Sequence, residues 1–208
     1  MSDLRNALPN DDTNAYESFD GLDLVSRFRS TSQLERDKKV GAAGELYVFE
    51  LLSCLNMPNW DRANWQSTIR SYVTIHPDYR DLQAWRGHET ADLVYSDDEG
   101  HLTNTLIGCG YLDHDEWYGE RPKYYIEVKT TTGPCSTAFY MSGKQYKLMQ
   151  RVHQSDDHSE IYMVFRVFWL DSDDISLCLY IDPEQLRQDE SLLFKGQAWT
   201  VTPGPSMG

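Results

Sequence analysis

The chain has 208 residues and 24.1 kDa, is 40% hydrophobic and 12% aromatic, and carries a formal net charge of -14 with a pI of about 4.7. That length fits one domain with decorations, and the apolar content supports a full core. The acidic balance argues against broad adhesion to nucleic acid or to an anionic membrane, which are held by Lys and Arg, but leaves room for a local basic face.

No apolar run is long enough to span a membrane, so no membrane partner is expected. The sequence shows no internal repeat and no low-complexity tract. Cys54, Cys109, Cys135 and Cys178 are far apart and form no CxxC pair. With no signal peptide at the N-terminus, they read as reduced thiols of an intracellular protein, in cytoplasm or nucleus. The acid is clustered at 96–99, 113–116, 156–160 and 171–174, runs of the kind that form solvated loops.

In chain order, residues 1–30 are a polar, flexible leader with a short helix expected near Leu22 to Phe28. Residues 31–202 read as a single α/β domain, and 203–208 as a tail. Ser32 to Lys39 is a charged helix start. Val40 to Leu55 is an amphipathic helix whose Val48, Leu51, Leu52 and Leu55 follow the i, i+3, i+4, i+7 spacing. Glu45 falls at the edge of that stripe, where a carboxylate is either solvated or put to use. The segment Thr68 to Ile75 has the β-branched content of a strand but reads equally as a helix end. Trp60, Trp65, Tyr72, Tyr79 and Trp85 crowd this region, as core or lid packing or, alternatively, as base-stacking groups.

Ala91 to Tyr95 is a short strand with Asp92 near its start, a position for a turn or cap residue or for a ligand. An acidic insertion follows at about 97–121, with Gly108, Gly110 and Gly119. Tyr124 to Thr130 is a strand rich in aromatic and β-branched residues. By its period of two, Ile126 and Val128 face a core, while Tyr125, Glu127 and Lys129 share the other face. Charged residues in so apolar a run need a partner, which is either a cross-strand ion pair or a site.

Ser142 to His153 is a helix opened by the capping pattern S-x-x-Q, Ser142 with Gln145. Lys144, Lys147 and Arg151 make a basic stripe along it, either solvated surface or, with Gln145, nucleic-acid contacts. Ile161 to Leu170 is an apolar central strand, and the turn at 171–174 leads it into Ile175 to Ile181 as a hairpin. Pro183 starts a short helix to Arg187. Leu192 to Val201 is an expected edge strand. The six histidines show no Zn spacing; His88 and Glu89 fall in a loop just before Asp92.

Glu45, Asp92, Glu127 and Lys129 thus stand on or beside apolar elements in the order helix, strand, strand. Two paired strands bring Asp92 and Glu127 together. Carboxylate oxygens are the ligands Mg²⁺ prefers, and the ion shares its shell with substrate phosphates. A lysine two residues from the glutamate is placed to handle a proton or a phosphate charge, and metal-assisted phosphodiester displacement uses such a set.

Asp92 followed by Glu127-Val128-Lys129 resembles the PD-(D/E)XK nuclease superfamily. More closely, residues 41–45 (Gly-Ala-Ala-Gly-Glu), 91–94 (Ala-Asp-Leu-Val), 126–131 (Ile-Glu-Val-Lys-Thr-Thr) and 139–142 (Phe-Tyr-Met-Ser) are similar to the NO VEIN C-terminal domain, regarded as a member of that superfamily. The similarity covers roughly residues 35–170. It implies a restriction-endonuclease-like fold, a central mixed β-sheet flanked by helices. It also implies Asp92 and Glu127 as ligands of Mg²⁺ (or Mn²⁺), Lys129 as the catalytic lysine and Glu45 as the helix-borne acid that completes the set. Gln145 falls where some relatives carry a functional polar residue. Two departures stand out: Thr90-Ala91 replaces the proline of the superfamily's name, and the acidic insertion lengthens the gap from Asp92 to Glu127.

Three functions compete at this level. The first is a metal-dependent nuclease, or a descendant of one, holding nucleic acid through the local basic face. The second is a non-catalytic module of the same fold that binds a protein partner. The third, a glycosidase carboxylate pair of Asp92 and Glu127, leaves Lys129 without a role.

Overall fold

The computed structural model describes residues 31–155 and 157–195. Its centre is a four-stranded mixed sheet in the order β1 (Leu93–Ser96), β2 (Lys123–Thr130), β3 (Glu160–Phe168), β4 (Ser176–Ile181). β1 runs antiparallel to β2, β2 parallel to β3, and β3 antiparallel to β4. The parallel step requires a crossover, supplied by α4 (Gly143–His153). The expected α/β architecture, a central mixed sheet with flanking helices, is the observed one.

α1 spans Thr31–Ser53, so the charged segment before Val40 is helical. Of the expected stripe, Val48 and Leu52 are buried and Leu55 packs against the core, whereas Leu51 is exposed; Ala42, Ala43, Leu46 and Phe49 widen the buried face. The small residues bring the backbone of α1 close to the sheet. A Cβ on Gly44 would lie 1.9 Å from Oγ1 of Thr130 in β2. Consequently Glu45 lies within the contact rather than at its edge.

Thr68 to Ile75 is neither strand nor α-helix end; Arg70–Val73 forms one 3₁₀ turn, and Pro77–Tyr79 another. An isolated antiparallel bridge between Trp65 and Leu93 adds a rung on the outer edge of β1. The acidic insertion carries two helices, α2 (His101–Gly108) and α3 (His114–Trp117). Asp97, expected in a solvated run, is buried and accepts hydrogen bonds from the Thr103 backbone N–H and from Thr103 Oγ1, both at 2.8 Å.

One face of the sheet packs on α1 through Leu93, Ile126 and Val128, together with Trp65. The other face packs on α4 through Val94, Tyr125, Tyr162 and Val164 against Met149 and Val152. α5 (Pro183–Gln188) follows β4. No strand forms over 192–195. The remainder of that expected edge strand, the leader with its helix near Leu22 to Phe28, and the tail lie outside the described residues. Among the described residues no helix is long and apolar enough to cross a membrane.

Candidate functional site

β2 carries Glu127 and Lys129 on the α4 side, alternating with Ile126 and Val128 on the α1 side. Both charged residues are almost fully buried, Glu127 at 1% and Lys129 at 4% exposure. Exposure this low removes the half-solvated alternative. The Lys129 ammonium donates to Glu127 Oε1 at 3.2 Å and to Gln145 Oε1 at 3.3 Å.

Gln145 reaches the cluster because it is the third residue of α4. Ser142 Oγ accepts from the Gln145 N–H at 3.2 Å, and Gln145 Oε1 accepts from the Ser142 N–H at 2.8 Å, so the expected capping box is complete. The Gln145 amide Nε2 in turn donates to Glu127 Oε1. Gln145 is therefore both a cap and a direct neighbour of Glu127 and Lys129; the two readings of it are not exclusive.

Asp92 sits just before β1. Leu93 pairs with Ile126, so the register extended by one position sets Asp92 opposite Glu127. β1 has ended there, and the Val128 N–H would lack a ladder partner. Asp92 Oδ2 accepts it at 2.7 Å, while the Asp92 carbonyl accepts from the Gln66 N–H at 2.8 Å. Burial holds the Asp92 carboxyl well above its ordinary range, and the charges of Glu127 and Glu45 push the same way. Lys129 and the Val128 N–H oppose them.

Glu45 approaches from α1. Its Oε2 accepts from Trp65 Nε1 at 2.7 Å and its Oε1 from Ser67 Oγ at 2.9 Å. Burial raises its pKa from 4.5 to about 8; the Trp65 and Ser67 hydrogen bonds pull it down, and the charges of Glu89 and Glu127 push it up. The bridge at Trp65 explains this placement, since it brings residues 65–67 alongside β1 and over α1. Trp65 is thus core, as expected, and also a donor to a buried carboxylate, a role its indole N–H made possible but spacing did not reveal.

The fold therefore brings Glu45, Asp92 and Glu127 within Coulombic reach of one another, with the Lys129 charge acting on Asp92 and Gln145 joining Lys129 to Glu127. Among the described residues no group of three or more His, Cys, Asp or Glu side chains is disposed to hold a metal ion. The reason is visible in the hydrogen bonds: Glu45 turns both oxygens to Trp65 and Ser67. Asp92 and Glu127 are the pair whose donor chemistry fits Mg²⁺, which is commonly held by one or two carboxylates with water and phosphate completing the shell.

The basic stripe divides. Lys144 and Lys147 are exposed on α4. Arg151 instead bonds Glu160 at the start of β3 and lies 5.8 Å from the Tyr125 ring centroid. Glu89 accepts from the Thr68 N–H at 3.2 Å and His88 meets Thr90 Oγ1 at 3.3 Å, local loop contacts, although the Glu89 charge reaches Glu45.

Arg166 escaped the sequence reading. It sits in β3 in parallel register with Lys129, fully buried on the same face. Its signal was the one that exposed Lys129, a cation inside an apolar strand. Compared with protein-family models, with curated proteins and with solved structures, the chain gives no match.

Proposed function

We propose that this is a restriction-endonuclease-like domain whose Asp92, Glu127 and Lys129 form a metal-dependent phosphodiester-hydrolysing site, similar to that of the NO VEIN and PD-(D/E)XK proteins. One observation carries the reading: a carboxylate and a lysine two residues apart are buried together on a central strand, with a second carboxylate opposite. Burying such charges costs several kcal/mol unless they are compensated, and burial, with the charges of Glu127 and Glu45, raises the Asp92 carboxyl as is common at functional sites. The order of helix with Glu45, strand after Asp92, strand with Glu127 and Lys129, then helix with Gln145 supports the superfamily assignment.

Asp92 and Glu127 would hold Mg²⁺ or Mn²⁺, which when bound polarises a phosphate oxygen and a water. Lys129, already fixed by Glu127 and Gln145, places positive charge and a transferable proton beside that pair. Gln145 keeps the ammonium and the Glu127 carboxylate in register through the α4 cap. Lys144 and Lys147 extend positive charge along α4 for the flanking phosphates.

A second reading has its own observation. Each carboxylate already accepts a protein hydrogen bond, as expected of a non-catalytic descendant that keeps the network as internal structure and presents its acidic surface to a protein partner. Calorimetric titration with Mg²⁺ and Mn²⁺, alongside cleavage of labelled DNA and RNA, separates the two. The nuclease reading expects millimolar or tighter metal binding that Glu127→Gln and Asp92→Asn remove. It also expects Lys129→Met to reduce cleavage by about a hundredfold or more while metal binding persists. No metal binding by the wild-type chain, or undiminished cleavage in both Glu127→Gln and Lys129→Met, overturns it.

A further inference from the structure

The connection from β2 to α4, residues 131–142, leaves the strand that bears Lys129 and ends at the Ser142 cap. It crosses the sheet toward β4, and three contacts hold it there. Arg166 Nη2 donates to the Thr137 carbonyl at 2.7 Å. The Arg166 guanidinium lies 5.3 Å from the Phe139 ring centroid. Cys135 Sγ stands 3.7 Å from the Tyr180 hydroxyl.

β4 supplies the other half of this arrangement. Cys178 is the register partner of Arg166, and Tyr180 lies two residues on, so both project from the same face. The Cys178 thiol lies within electrostatic reach of both Tyr180 and Cys135. Two thiols distant in sequence therefore meet at one place, both only partly buried and open to a small reagent. Cys54 and Cys109 are exposed at the ends of other elements.

We propose that Cys135 and Cys178 form a reversible disulfide that ties the connection between β2 and α4 to β4. The bond is a modification site separated by β3 from the strand that carries Glu127 and Lys129. The oxidant class is a small-molecule disulfide. Cys135, having released its proton to solvent, attacks one sulfur of that molecule and expels one thiolate. Cys178, deprotonated in turn, attacks Cys135 Sγ and expels the second. The protein loses two protons and two electrons, and the small disulfide becomes two thiols.

The surroundings favour this order of attack. Burial raises the Cys178 thiol, which suits it to the second, intramolecular attack, where proximity offsets its smaller thiolate fraction. The Arg166 guanidinium, whose Nε and Nη1 have no hydrogen-bond partner among the described residues, lies within Coulombic reach of Cys135. The bond would lock the segment that delivers Gln145 to Glu127 and Lys129. The disulfide itself does not depend on the nuclease reading.

The test is equilibration of the full, folded chain in glutathione redox buffers, with thiol counting and mass mapping of unreduced peptides. The four free thiols should fall to two, with Cys135 linked to Cys178, and dithiothreitol should restore all four. A chain with Cys54→Ser and Cys109→Ser should form the same link. Cys178→Ser should yield a glutathione adduct at Cys135 instead. The folded chain should form the bond in a buffer about tenfold more reducing than the chain in concentrated urea requires. Loss of no thiols, linkage through Cys54 or Cys109, or equal formation in urea overturns the proposal.

Discussion

Glu45 has both carboxylate oxygens engaged, by Trp65 Nε1 and Ser67 Oγ, yet it titrates near 8 rather than 4.5 because burial outweighs those two bonds. Its proton leaves the unfolded chain near pH 4.5 and the folded chain near pH 8. Between these values the folded state holds the extra proton, so this contribution to stability is complete below about 4.5 and is lost as pH rises toward 8. Asp92, also raised, acts with the same sign. Glu45→Gln removes one ionisation while keeping a carbonyl acceptor for Trp65 and an amide that the Ser67 hydroxyl can accept from. With metal chelated, the variant should match the wild-type chain within about 1 kcal/mol near pH 5 and exceed it by about 1–3 kcal/mol near pH 8. Urea unfolding at both pH values checks this; parallel slopes for the two proteins would show that Glu45 is ionised throughout. At this scale Glu127 and Lys129 were legible because a charge in an apolar strand demands a partner. Arg166 carried the same signal in β3 but stood alone, without a second charge two residues away. The partners of Glu45 were not legible, since they depend on a single bridge between Trp65 and Leu93.

Elements whose ends are set by local chemistry were readable from the chain. The capping box of α4, the hairpin of β3 and β4, and the start of α5 at Pro183 all stand where residue type dictates. Elements set by packing were not. α2 is preceded by Gly100 in a left-handed conformation, without a side-chain cap hydrogen bond, and is held through Asp97 and Thr103. The face that α1 buries is wider than the expected stripe because Ala42, Ala43 and Gly44 let its backbone close on the sheet. Gly44 measures that contact: an added Cβ would meet Thr130 Oγ1 at 1.9 Å, Cγ2 at 2.7 Å and Cβ at 2.8 Å. None of these is the loose end of a long side chain, so α1 or β2 must shift. Gly44→Ala should cost about 1–3 kcal/mol or more in urea unfolding. Thr130→Ala, which removes the two closest atoms, should return part of that loss in the double variant. Strictly additive single and double variants would place the cause elsewhere.

For the whole molecule, 33 acidic against 19 basic residues leave any polyanion to be held by a small basic surface against general repulsion. The stripe legible in the sequence had three members, but Arg151 is committed to Glu160, whose pKa is lowered by that partner although burial opposes it. That leaves Lys144 and Lys147 for phosphates at this face. Each phosphate neutralised contributes about 0.7 to 0.9 to the slope of log K against log salt. Two exposed lysines therefore predict a shallow dependence, with Lys144→Ala and Lys147→Ala together reducing the slope by about 1.4–1.8 and weakening binding across sequences alike. Arg151→Ala should change the slope little, because its charge is already matched. Fluorescence anisotropy with labelled oligonucleotides, over a range of salt and in chelator to suppress cleavage, reads all three proteins. A slope that Arg151→Ala lowers as much as the lysine pair does would mean that the ion pair with Glu160 opens for the substrate. An unchanged slope in the double lysine variant would remove α4 as the nucleic-acid face and leave the protein-partner reading to account for its exposed charge.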